Sequence, residues 1–120
     1  MLKTLAILFG LLFVVGGCLG FVPSAMQDGD LFGIFHVNAI HNLVHILTGL
    51  VALWVAFTGS HATKLFFQIF GIIYGIVAIL GFFYGNEDIF GLIANNTADI
   101  WLHLGIAVVS LTVGFGLSEE

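Results

Sequence analysis

The chain reads as an all-α membrane protein, four transmembrane helices built from two similar helical hairpins. Of its 120 residues, 60% are hydrophobic and only 8% charged, whereas about a quarter of the residues of a soluble domain are charged. Mean hydropathy is +1.18. Four apolar runs of roughly 20 residues are each long enough to cross ~30 Å of hydrocarbon. Two stretches also resemble each other, LFGIFHVNAIHNLVH ending at His45 and IFGLIANNTADIWLH ending at His103.

The first run covers residues 5–22 and stops at Pro23, because the residue before a proline is pushed out of the α region. After the polar PSAMQDGD and a short apolar piece, residues 31–35, Asn38 stands as an N-cap before the second run, residues 39–57. A TGSHATK turn containing Gly59, Ser60 and Lys64 separates this run from the third, residues 65–84. There Gly71 and Gly75 form a GxxxG pair suited to close helix approach in lipid. GNEDIFGLIANN leads into the fourth run, residues 97–117, and Ser118, Glu119 and Glu120 follow.

A second match organises the four runs. ILFGLLFVVGGCLGF, ending at Phe21, aligns with QIFGIIYGIVAILGF, ending at Phe82, pairing Phe9 with Phe70, Gly10 with Gly71 and Gly20 with Gly81. The expected unit is a helical hairpin used twice within a single domain of residues 1–120, the first copy about residues 1–58 and the second about 64–117. Each unit holds two spans, so both copies enter the membrane from the same side, with their symmetry axis along the membrane normal. His45 and His103 then lie at similar depth, on the second and fourth helices, where bundle proteins commonly build sites.

Charge narrows the functional classes. The net charge of -5 leaves only Lys3 and Lys64 as fixed cations, too few to neutralise a phosphate backbone, so nucleic acid is excluded as a partner. Both lysines fall on one side of the expected topology, while Asp28, Asp30, Glu87 and Asp88 fall on the other. By the positive-inside rule both termini are cytoplasmic. Cys18 has no second cysteine to pair with, which excludes a disulfide framework or a thiolate metal cluster. Lys3, the apolar stretch and Val15-Gly16-Gly17-Cys18 also fit a lipoprotein signal with Cys18 lipidated. The match between the first and third runs crosses that cleavage point and favours the intact chain.

The candidate site is a pair of polar faces. On the second helix Asn38, His41, Asn42 and His45 share a face with Gly49. On the fourth, Asn96, Asp99 and His103 share one that continues through Ala107, Ser110 and Gly114. Ionisable groups in a span are costly toward lipid, so both faces are expected to point inward. The structural reading makes Asn38 and Asn96 helix caps, gives Asp99 the return bond of a capping box, and leaves the histidines as interhelical hydrogen-bonding groups. A second reading is a transition-metal site drawn from His41, His45, Asp99 and His103. A third is a haem held by His45 and His103, with Gly49 and Gly105 leaving space. A fourth is proton or ion handling by the Asp99 and His41 pair, although the stripe offers no ionisable group onward to the cytoplasmic face. A homo-oligomer or an accessory subunit of a larger membrane complex stays open, given thirteen phenylalanines. Trp54, Trp101 and Tyr84 fit interfacial positions near span ends, and His36 and His61 fall in loops. No nucleophile and base pair, phosphate-binding glycine loop or HExxH motif is present, so no enzyme is expected.

The segments HVNAIHNLVHILTG and ADIWLHLGI, the Gly-Phe pair before the first loop and the four-span layout resemble a family of small bacterial membrane proteins, domain of unknown function 4383. The resemblance covers nearly the whole chain. Its most specific marks are Asn38, His41, Asn42, His45, Gly49, Asp99, Trp101, Leu102 and His103. It implies the four-span architecture and a place in a bacterial inner membrane, and carries no activity.

Overall fold

The computed structural model describes residues 1–119, and Glu120 lies outside them. Among the described residues four helices are long and apolar enough to cross a membrane: α1 (Leu2–Leu19), α2 (Ala39–Thr58), α3 (Ser60–Tyr84) and α4 (Thr97–Gly116). α1 ends at Gly20, and Val22, next to Pro23, is already extended at φ -94° and ψ 112°. A 3-10 turn (Pro23–Ala25) follows.

Two places differ from the sequence expectation. The stretch between α1 and α2, expected as loop, forms a small antiparallel ribbon of β1 (Met26–Gln27), β2 (Asp30–Leu31) and β3 (Phe35–His36). Its reversals rest on positive φ at Asp28, Gly29, Phe32 and Gly33, which hydropathy does not report. The TGSHATK turn contracts to a single residue. Gly59, at φ 152° and ψ 168°, separates α2 from α3, a conformation open essentially to glycine alone. The helix therefore begins at Ser60 and carries His61 and Lys64 within it. Thr63 secures the joint, its hydroxyl 2.9 Å from the Val55 carbonyl oxygen and 2.8 Å from that of Gly59.

α1 packs antiparallel on α2, and α3 on α4. A Cβ built on Gly49 would come within 2.7 Å of the Gly10 carbonyl oxygen and 2.8 Å of the Val14 nitrogen, so α1 and α2 touch backbone to backbone. On α3 the GxxxG pair divides. Gly71 is pressed against Leu111, whereas a Cβ on Gly75 would sit a comfortable 3.8 Å from that of Ala107. The next close approach on α3 is Gly81 against Ile100. Leu2, Ala6, Ala52, Ala56, Phe67 and Val113 build an apolar core at the end holding the termini and the α2–α3 joint. Lys64 closes that end by donating from Nζ to the Leu117 carbonyl oxygen. The polar residues gather at the opposite, loop-bearing end. Large apolar side chains such as Leu12, Trp54, Phe57 and Phe83 face outward.

Candidate functional site

The two helix starts that carry the polar groups are built alike. Asn38 sits at φ -140° and ψ -179° and accepts a hydrogen bond from the His41 backbone N–H; Asn96, at φ -145° and ψ -178°, accepts one from the Asp99 N–H. At Asn96 the capping box is complete, because Asp99 Oδ2 accepts from the Asn96 backbone N–H at 3.0 Å. At Asn38 the corresponding residue is His41, whose ring is turned elsewhere. The loops leading in also match, with φ 56° and 72° at Phe32 and Gly33 against 53° and 69° at Phe90 and Gly91. Each cap reaches into the other loop. Asn38 Nδ2 donates to the Leu92 carbonyl oxygen at 2.9 Å, and Asn96 Nδ2 donates to that of Ile34 at 3.0 Å. Above them His36 Nδ1 meets Asp30 Oδ1 at 2.9 Å, with Asp88 Oδ1 3.9 Å from its other nitrogen.

Inside this frame three imidazoles converge. His41, His45 and His103 each present a ring nitrogen, and the three atoms lie within 4.8 Å of one another. His41 Nδ1 donates to the Ala94 carbonyl oxygen at 2.9 Å. A carbonyl only accepts, so this nitrogen carries the proton and Nε2 keeps its lone pair. His45 Nε2 and His103 Nε2 face each other at 3.4 Å. His41 and His103 are almost wholly buried, and the rings of Phe13 and Tyr74 pack against His45 at 5.0 and 6.2 Å. Tyr74 is itself fixed. The Thr48 hydroxyl donates to the Val44 carbonyl oxygen, so the Tyr74 OH, 3.0 Å away, donates to Thr48 Oγ1.

The remaining sequence candidates stand around this cluster. Asp99 is fully buried one turn before His103 but outside the converging group, its Oδ2 held by the capping box and its Oδ1 without a hydrogen-bond partner among the described residues. His103 Nδ1 and Ser110 Oγ are buried and unpartnered in the same sense. Asn42 packs on α1, filling the space that a side chain at Gly20 would need. The interhelical contact that His45 makes is with His103 on α4.

Two residues were not singled out from the sequence. Tyr74 is one; it stands where the paired alignment has Phe13, and that exchange of Phe for Tyr was the available signal. The other is Asn95, fully buried, whose Nδ2 donates to the carbonyl oxygens of Gly81 and Gly85 and so closes the end of α3.

Cavities flank the cluster on two sides. One of about 610 Å3 lies between α1 and α4, roofed by Leu31 and Phe35, with His41, Asn42, His45 and Asp99 in its wall. Another of about 90 Å3 lies between α2 and α3, bounded by His45, Thr48, Tyr74 and His103.

Fold and site together define a small four-helix bundle of membrane-spanning character with a buried imidazole cluster near one end. Residues 3–116 match the family described as Domain of unknown function (DUF4383), nearly the whole chain, and the protein belongs to that family. No curated protein and no solved structure matches the chain.

Proposed function

We propose that this is a multi-pass protein of the bacterial cytoplasmic membrane, with both termini cytoplasmic, that holds one first-row transition-metal ion between His41, His45 and His103. The convergence of three ring nitrogens within 4.8 Å carries this reading. Tetrahedral zinc, with Zn–N of about 2.0–2.1 Å, sets two coordinating nitrogens roughly 3.3 Å apart, and His45 Nε2 and His103 Nε2 are separated by 3.4 Å. Ala94 fixes the His41 ring with Nε2 free, the outer hydrogen bond that metal-ligating histidines ordinarily make. The buried Asp99 carboxyl, one turn from His103, supplies a group able to offset the ion's charge in a low dielectric. A haem between His45 and His103 is disfavoured, since the rings of His41, Phe13 and Tyr74 occupy the space a porphyrin would need. The matched loops and reciprocal caps support two copies of one hairpin as the origin of the frame. Lys3 and Lys64 at the terminal end support the orientation.

The test is elemental analysis of full-length protein purified in mild detergent without added metal, followed by stripping and titration with Co2+, whose visible absorption reports nitrogen coordination. One ion per chain is expected, with affinity lowered at least about tenfold in His45→Ala and His103→Ala. A metal-free preparation that gives no Co2+ spectrum overturns the proposal and returns the cluster to an interhelical packing role.

A further inference from the structure

The larger cavity is a cleft that opens sideways. The helix pairs in substantial contact are α1 with α2, α3 with α4, and to a lesser degree α2 with α3 and α1 with α3; α1 and α4 are not among them. Leu12 and Trp101, on the two lips, are 74% and 60% exposed. In a bilayer this mouth faces lipid. Its 610 Å3 falls within the range of roughly 300–1,000 Å3 typical of small-molecule sites.

Two absent side chains hold it open. Gly16 on α1 and Gly105 on α4 both line the cleft, and a Cβ at either would meet nothing within 4 Å. Neither glycine serves helix packing, unlike Gly49 or Gly71.

The lining specifies the occupant. His41, Asn42, His45 and Asp99 supply the polar groups, all toward the loop end, while the cleft runs on past Phe9 and Val109 toward the middle of the bundle on apolar side chains. An amphiphile seated with its head at the loops and its tail toward the bilayer centre matches that gradient. None of the described lining residues is Lys or Arg, so an anionic headgroup would find no counter-charge. Asp99 Oδ1 is a buried oxygen with no hydrogen-bond partner among the described residues, and a hydroxyl would satisfy it. Phe13, Phe35 and Trp101 favour a flat aromatic head over an aliphatic one.

We propose that the cleft between α1 and α4 binds, from within the bilayer, a neutral hydroxy-aromatic lipid of the quinol class, its ring hydroxyl at Asp99 and the imidazoles and its hydrocarbon tail along Phe9 and Val109. The proposal does not require a metal on the histidines.

The experiment uses the full chain in phosphatidylcholine nanodiscs, with Trp54→Phe as background so that Trp101 fluorescence reports the cleft. A decyl-substituted hydroquinone is the probe and decylbenzene, with the same tail and no hydroxyl, its control. Expected is saturable quenching by the hydroquinone, with affinity reduced by roughly tenfold or more in Gly105→Leu and separately in Gly16→Val. Both fill open space, and an unchanged melting temperature verifies each fold, so either variant alone suffices. Decylbenzene is expected to bind at least about tenfold more weakly. Equal affinity for decylbenzene, quenching indifferent to both filling variants, or a phospholipid that survives delipidation and is not displaced by the hydroquinone would each overturn the proposal.

Discussion

The α1–α2 and α3–α4 hairpins lead into α2 and α4 through the same cap and the same turn and surround them with different side chains. Their capping asparagines differ by only a few degrees of φ and ψ, and their loops turn at the same two residues. Yet His41 stands where Asp99 would complete a second capping box, and Gly49 stands where the other hairpin has Ala107. Phe13 likewise stands where the other has Tyr74, and Gly16 where it has Val77. Only the glycine at position 49 is demanded by backbone contact, with Gly10 and Val14 pressed against it; the cap and turn geometry, alike in both places, demands none of the other exchanges. One wall is opened by glycine; the other is closed by a valine and a hydrogen-bonded tyrosine.

Helix packing gives the largest expected separation between the hairpins. Gly49→Ala should destabilise the bundle by about 1–3 kcal/mol through overpacking, since its Cβ would strike the Gly10 and Val14 backbone. Ala107→Gly should cost only about 1 kcal/mol, the propensity loss of a helical glycine. Unfolding in mixed micelles measures both, and equal effects would break the contrast.

The caps come next. Asn96→Ala should cost about 1–2 kcal/mol and Asn38→Ala nearer the lower end of that range, because only Asn96 belongs to a two-way box. The same unfolding assay checks the order, and a reversal would show that His41 supports its cap as well as Asp99 does.

The smallest difference is expected at the ring pair. Tyr74→Phe removes the Thr48 contact and should cost about 0.6 kcal/mol, an average interhelical hydrogen bond in a membrane protein. Phe13→Tyr, which sets a hydroxyl beside the roomy cleft, should cost less. A larger penalty for Phe13→Tyr in thermal unfolding would show that the cleft is tighter than its glycines imply.

What could be read from the residues and what could not divide along physical lines. The four apolar helices, the asparagine caps and the inward stripe through His41, His45 and Gly49 follow from local rules, namely apolar length, cap chemistry and the 3.6-residue period. The β ribbon had one signal, the Asp28-Gly29 pair that favours positive φ at both residues, but its two-residue strands are too short to show an alternating pattern, and Phe32 has no preference for its positive φ. Lys64 was placed in a turn because polar composition suggests a loop, whereas a single glycine sufficed to reverse the chain. Convergence of His103 on His41 and His45 needed one hairpin to dock on the other, which no single helix encodes. The cleft was hardest to foresee. It arises from side chains missing at Gly16 and Gly105, on helices far apart in the chain.

The reciprocal amides at the loop end bear on how the protein is made. Synthesis delivers the first hairpin to the bilayer before the second exists. Until residue 92 emerges, the Asn38 amide has no Leu92 carbonyl to reach, and the Ile34 carbonyl waits for Asn96. Both groups are satisfied in the same docking event, so the loop end is a seam that only a finished chain can close. A nascent first hairpin stalled alone in the membrane would carry that open seam as a visible sign of incomplete biogenesis.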